Sequence, residues 1–333
     1  MTPGTATGCL FGLAYGDALG KPTEFRTVAE IVACYGPGGP RALTGEPALV
    51  TDDTQMTLAV GRALHRAGGS PPPALISALR EEFLAWAISP DNNRAPGNTC
   101  LQACANLSRG LAWQDATMTG SKGCGANMRV APAGLRPQYD HATLAAVAQV
   151  QAALTHGHPT ALTASELTAY AIRLLRDGAA VTDLPALLRD RCHTQHSVYH
   201  HDWLGPLWQR AGAASPGEYI AHGWRECLDI LDRLDDALPA YDGTQDPCRY
   251  TGEGWIAEEA LATALLCAIH HDDHPVDALA RAATTSGDSD SIACLTGAFL
   301  GAAHGMTIWP SGWADQIEYR DELAQLGDAW DKT

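Results

Sequence analysis

Basic residues are scarce in this chain: 22 Lys and Arg stand against 38 Asp and Glu, a formal charge of −16 over 333 residues. That balance argues against non-specific nucleic-acid binding, which relies on phosphate neutralisation by Lys and Arg. The acid excess serves solubility, and part of it is free to serve a cation site. Paired cysteines are missing as well. The ten cysteines include no Cys-x-x-Cys, and Cys100 and Cys104 sit one helical turn apart. They read as buried thiols in a reducing compartment, not as a disulfide scaffold. The opening stretch MTPGTATGCLFGLAYGDALG carries no Lys or Arg before its apolar part, so it does not read as a secretory signal. No run approaches the roughly 20 apolar residues needed to span a bilayer. These absences predict a soluble, cytoplasmic protein with no membrane partner.

Alternating Val, Ile and Thr runs, the mark of strands, are nearly absent too. What remains is helical. Residues 74 to 88, ALISALREEFLAWAI, place Leu75, Leu79, Phe83 and Trp86 on one face with a period of 3.6. Residues 142 to 154, 164 to 176 and 256 to 270 repeat the pattern, and Pro/Gly clusters at 36 to 40, 68 to 73, 157 to 159, 239 to 247 and 310 to 312 separate helices as loops. With 46% hydrophobic and 18% charged residues the chain can bury a sizeable core and is no candidate for disorder. No fixed-period repeat divides it. The expectation is one all-α domain over residues 1–333.

Glycine recurs every four residues at Gly8, Gly12, Gly16 and Gly20, and again at Gly297 and Gly301. A glycine inside a helix costs about 0.5–1 kcal/mol relative to alanine. Repeating it needs compensation, and close backbone approach between two central helices supplies one.

Two acid-and-hydroxyl clusters stand at predicted helix starts. The first is Thr51-Asp52-Asp53-Thr54, with helix running on from Gln55; the second is SGDSDSIACLTGAFL, residues 286 to 300. Helix capping accounts for one side chain at each, because Asp and Thr are favoured caps and negative charge suits a helix N-terminus. It does not account for two carboxylates at both. Asp52, Asp53, Asp288 and Asp290, brought together with Thr51 and Ser291, would resist ionisation unless a cation joined them. Two Mg²⁺ ions satisfy such a set, since hard cations take carboxylate and hydroxyl oxygens and a metal pair can clamp a reacting centre. No EF-hand pattern is present, and neither cluster contains a His or Cys at zinc-ligand spacing.

Six stretches in order then resemble the ADP-ribosylglycohydrolase family: GDALGKPTEF (16–25), TDDTQMTLAV (51–60), PGNTC (96–100), GCGANMRVAPAGL (123–135), LTHGHPTALTAS (154–165) and SGDSDSIACLTGAFLGAAHG (286–305). GEGWIAEEALATALLCA (252–268) is similar to the family's late helical segment. The resemblance implies an all-α orthogonal bundle with a dinuclear Mg²⁺ (or Mn²⁺) site in a central cleft. It implies Thr51, Asp52 and Asp53 on one side of the metal pair, with Asp288, Asp290 and Ser291 on the other. Serine at 291 replaces the family's usual threonine and keeps the oxygen. The same resemblance places Glu24 on a mobile loop near the metals. It also puts Asp17 and the Gly123-Cys124-Gly125 turn beside the nucleotide.

The implied reaction removes ADP-ribose from a modified protein side chain or small molecule, by attack of a metal-positioned water on the ribose anomeric carbon. Asp53 and Glu24 both stand as candidates for the carboxylate that handles that water. His156, in THGHP, reads either as a contributor to the substrate cleft or as a hydrogen-bonded histidine beside a loop proline; His158 carries the functional reading less well. The run CHTQHSVYHHDW, residues 192 to 203, fits a solvated polar segment better than a zinc site. Trp203, Trp208 and Trp224 read as core or interface anchors.

One position departs from the pattern. Where arginine-linked members carry an aspartate two residues before the glycine of the GNT stretch, this chain has Ala95, with Asp91 nearby but out of register. The leaving group stays open. Two other classes remain: a non-catalytic ADP-ribose-binding member, and a dinuclear phosphoester hydrolase, a class whose ligand sets usually include histidine.

Overall fold

The computed structural model describes residues 4–332, which form nineteen α-helices and three 3₁₀ turns. Among them, strand-like pairing is confined to three isolated bridges, Ala48 with Ile317, Met118 with His156, and Gly123 with Ile256. The all-α expectation holds.

The centre of the molecule is a pair of helices, Thr5–Gly20 and Ser289–His304. The first buries every residue except Thr7, and the second is buried from Ser289 to Ala302. A helix apolar on all sides belongs in an interior. The two touch along their glycines. A Cβ added at Gly297 would stand 1.9 Å from the Gly12 carbonyl oxygen; one at Gly301 would stand 2.0 Å from that of Gly8. A Cβ added at Gly16 would stand 2.0 Å from the Ala293 carbonyl oxygen, and one at Gly20 would stand 2.3 Å from the Asp290 Cα. The spacing of four therefore marks a backbone-to-backbone seam, as the repeat suggested. One end of that seam is Asp290.

The chain's opposite ends meet elsewhere too. Gly4 has no side chain to cap the first helix. Asp331, in the helix Arg320–Asp331, takes that role by accepting from Ala6 N (2.8 Å), Thr7 N (3.0 Å) and Thr7 Oγ1 (2.6 Å).

The expected helices appear as Pro72–Ala87, His141–Ala153, Pro159–Arg176 and Ala257–His270. Pro159–Arg176 begins inside the loop expected at 157 to 159. Proline is tolerated at a first helical position, and the His158 ring accepts the Thr160 N–H as cap. The longest helix, Pro216–Ala237, buries Trp224 and packs Gly223 against the Pro159 carbonyl. Trp203 and Trp208 pack at the edge of the core. All ten cysteines are unpaired, and all but Cys34 are buried. Among the described residues no helix is long and apolar enough to cross a membrane.

Candidate metal centre and cleft

Thr51 ends an extended segment, and Asp52–Ala67 begins as helix immediately after it. Thr51 Oγ1 accepts the Asp53 N–H at 3.3 Å, so one hydroxyl does the capping. Neither carboxylate is needed for that purpose. Asp52 and Asp53 both line a cavity of about 470 Å³, together with Asp288, Asp290, Ser291 and Glu24. Asp288 caps the opposite helix through Ser291 N. Both acid clusters, 235 positions apart, thus open into one cleft.

Asp17 differs from the expectation. It is fully buried and does not line the cavity. Its carboxylate accepts from Thr51 N (2.9 Å), Thr54 N (3.0 Å) and Thr54 Oγ1 (2.6 Å), so it anchors the Thr51–Thr54 turn from behind and does not reach the cleft. Helix geometry explains this: Gly16 and Gly20 face the partner helix, which turns Asp17 toward the neighbouring segment. Thr51 likewise sits behind the wall, with a second hydroxyl lone pair beyond its capping bond.

Glu24, Asp288 and Asp290 each place a carboxylate oxygen within 4.8 Å of the others. The Asp290 charge bears on both Glu24 and Asp288. Burial, followed by the Asp290 charge, pushes Glu24 up to about 9. Burial raises Asp52 to about 8, against a bond from the Gly97 N–H at 3.1 Å. Asp17 rises to about 7 through burial and Asp290. Asp53 and Asp288 are held well above the carboxylate range by burial and by Asp290, and burial raises Asp290 itself. Among the described residues, none of these six acids forms an ion pair with Lys, Arg or His.

Two buried oxygens, Asp53 Oδ2 and Asp290 Oδ1, have no protein donor at all. Leaving such a group unpaired costs about 1–3 kcal/mol, more if it is charged. An all-oxygen donor set with orphaned carboxylate oxygens, raised pKa values and no basic partner fits hard divalent cations. The residues present therefore fit the Mg²⁺ (or Mn²⁺) pair expected from the sequence.

The far wall carries the Gly123-Cys124-Gly125 turn and His156. That turn is pinned by Cys124 N to Trp255 O (3.0 Å) and Ala257 N to Lys122 O (2.9 Å). A Cβ on Gly125 would stand 3.1 Å from the His156 ring, so the backbone there lies flush with the imidazole. His156 pairs through Nδ1 with Thr155 Oγ1 at 2.8 Å. Burial and Arg129 lower its pKa to about 3, which leaves it a neutral wall residue and no proton carrier near pH 7. His193, His196 and His201 are exposed and make no metal-ligand group.

Sequence reasoning did not single out Phe25 and Trp255. Both line the cavity and stack with ring centroids 5.6 Å apart and planes 13° apart. Phe25 stands at φ 61°, a left-handed conformation that costs a non-glycine residue about 1–2 kcal/mol. The only available signal was the Gly-Glu-Gly before Trp255, whose Gly252 and Gly254 both take positive φ. Ala95 also lines the wall, in a loop held by the Arg94–Glu318 ion pair and an Arg94 bond to the Val50 carbonyl.

The family model for ADP-ribosylglycohydrolase matches residues 4–333. The ADP-ribosyl-[dinitrogen reductase] glycohydrolase of Rhodospirillum rubrum is 28% identical, over 95% of this chain and 91% of that protein. The ADP-ribosylarginine hydrolase Tri1 of Serratia proteamaculans is 25% identical, over 97% of this chain and 78% of its own length. The mouse ADP-ribosylhydrolase ARH3 is 24% identical, over 96% and 89%. A solved structure described as an ADP-ribosylglycohydrolase-related protein complex superposes with a TM-score of 0.67 at 23% identity, covering 98% of this chain and 97% of that one. That likeness concerns the fold alone.

Proposed function

The chain belongs to the ADP-ribosylglycohydrolase family, and from that premise we propose that its cleft hydrolyses the glycosidic bond between ADP-ribose and a modified side chain or small molecule. The observation that carries this reading is the convergence of both acid clusters on one cavity, with Asp53 Oδ2 and Asp290 Oδ1 unpartnered. One relative is named as a glycohydrolase of ADP-ribosyl-dinitrogen reductase and another as an ADP-ribosylarginine hydrolase, and both names describe hydrolysis of an ADP-ribosyl compound.

Thr51, Asp52, Asp53, Asp288, Asp290 and Ser291 would hold two Mg²⁺ ions (Mn²⁺ the alternative), which supply Lewis-acid polarisation of the sugar hydroxyls. The protein's own groups do the rest. The Gly123–Gly125 turn brings backbone against the cleft with no side chain in the way at either glycine, which suits a diphosphate. His156 closes that wall as a neutral ring. Asp53 or Glu24 takes a proton from the attacking water, whose oxygen bonds to the anomeric carbon. The carbon–nitrogen or carbon–oxygen bond breaks, its electron pair leaves with the side chain, and a proton restores the leaving group. Positive charge developing on the sugar is stabilised by the surrounding carboxylates.

An assay with ADP-ribosyl-arginine, ADP-ribosyl-serine and a generic phosphodiester, with and without EDTA, tests the reading. Metal-dependent release of free ADP-ribose supports it. Release of a nucleoside monophosphate would favour the phosphoester alternative, and tight ADP-ribose binding without turnover the non-catalytic one.

A further inference from the structure

The catalytic reading makes no use of a second group of ligating side chains outside the cavity. His158, His222 and Glu226 each place one ligand atom within 4.8 Å of the other two, and none of the three lines the acid-lined cleft. Two helices bring them together. His158 stands before Pro159–Arg176 as its cap, while His222 and Glu226 lie one turn apart on Pro216–Ala237. The helices meet where Gly223 packs against the Pro159 carbonyl. That close approach leaves the His158 and His222 ring centroids 5.3 Å apart.

These donors differ in kind from the acid cluster. Two imidazole nitrogens and one carboxylate oxygen suit Zn²⁺, which takes His and Glu ligands in a tetrahedron, whereas Mg²⁺ prefers oxygen alone. Zinc bond lengths of about 2.0–2.2 Å set neighbouring ligand atoms about 3.4 Å apart. His222 Nε2 and Glu226 Oε1 already stand at 3.4 Å. The other Glu226 oxygen is fixed from behind, because Oε2 accepts from Lys122 Nζ at 2.9 Å and from Thr160 Oγ1. Such outer partners orient a ligating carboxylate, and here they leave Oε1 for the ion. Burial lowers the His158 pKa, so that ring is neutral near pH 7, the form a metal requires. His158 Nδ1 accepts the Thr160 N–H at 3.2 Å, a bond the ring gives up when an ion takes it. The His222 side chain is half exposed, which leaves a fourth position open to water.

We propose that His158, His222 and Glu226 form a Zn²⁺ site separate from the acid-lined cleft, with water as the fourth ligand. The site goes beyond the hydrolase reading and does not depend on it. Lys122, bonded to Glu226, directly precedes the Gly123–Gly125 turn, which places the ion beside the cleft wall and out of the reacting centre.

The test titrates Zn²⁺ calorimetrically into the full chain in saturating Mg²⁺, comparing wild type with His158→Asn, His222→Ala and Glu226→Gln. Asparagine is itself a favoured cap, so His158→Asn removes the imidazole and keeps the helix start. Each variant weakens the site more than about tenfold, the least that losing even a supporting partner costs a metal site. Far-UV circular dichroism stays native in all three. Cys34→Ser, which removes the exposed thiol, leaves the affinity unchanged. A wild type that takes up no Zn²⁺ beyond what the variants take up overturns the proposal. So does an affinity untouched by any one of the three substitutions, or loss of the site in Cys34→Ser. A protein that binds Zn²⁺ here and cleaves no ADP-ribosyl compound sustains the site and defeats the hydrolase reading alone.

Discussion

Magnesium binding should expel protons, and the cleft sets how many. Without a cation, Asp52 sits near 8 and Glu24 near 9. At pH 7 the first is about nine-tenths protonated and the second almost wholly so. A divalent ion at the cluster needs ionised carboxylates. These two residues alone then release about two protons. Asp53 and Asp288, held higher still, can only add to the count. Two protons released make the apparent affinity rise about a hundredfold per pH unit near neutrality.

The sign for stability follows from the same shifts. A carboxyl raised above its unfolded value favours the metal-free fold at low pH. That support is lost from about pH 4 up to about pH 9 for Glu24. The metal-free protein should therefore melt at lower temperature at pH 8 than at pH 6, with the Mg²⁺-induced rise in Tm larger at pH 8. Calorimetric titration in two buffers of different ionisation heat counts the protons directly. Release of fewer than one proton, or an Mg²⁺ affinity flat between pH 6 and pH 8, would refute the reasoning.

Asp53→Asn and Asp288→Asn should each abolish turnover while far-UV circular dichroism stays native; activity near wild type in either would count decisively against the assigned centre. Gly297→Ala, whose new Cβ would meet the Gly12 carbonyl at 1.9 Å, should destabilise by at least about 1–3 kcal/mol. Gly69→Ala, with nothing within 4 Å, serves as the neutral control by denaturant melts. His156→Gln should lower kcat/KM without moving either limb of the pH–rate profile between pH 5 and 8, because the imidazole is already neutral there; a displaced limb would mean that His156 titrates in the working enzyme. Mg²⁺ at a hundred times its Kd should stabilise the protein by about 2.7 kcal/mol, read as a rise in Tm.

The acid clusters were legible because helix capping is local: one cap needs one side chain, and Asp52-Asp53 and Asp288-x-Asp290 offer surplus oxygens beside it. The glycine spacing was equally legible, since a repeat of four on a helix has few uses other than contact. What could not be read was direction. Asp17 looked like a cleft residue from its place in the GDALG stretch, yet its side chain turns toward the Thr51–Thr54 backbone, a choice settled by which helix face meets the Ser289–His304 helix. Phe25 and Trp255 were invisible as a pair because 230 positions separate them and neither sits in a periodic pattern. The start of the Pro159–Arg176 helix was missed because proline and glycine signal loops more often than they signal a first helical turn.

The seam between Thr5–Gly20 and Ser289–His304 also has a bearing on biosynthesis. A ribosome delivers Asp52 and Asp53 long before it delivers Asp288 and Asp290, and Gly8 through Gly20 must wait for their partner. A nascent or prematurely terminated chain consequently has half of the acid cluster and an uncovered apolar rod where the core should be. The cleft cannot close around its second acid cluster until the Ser289–His304 helix has been made.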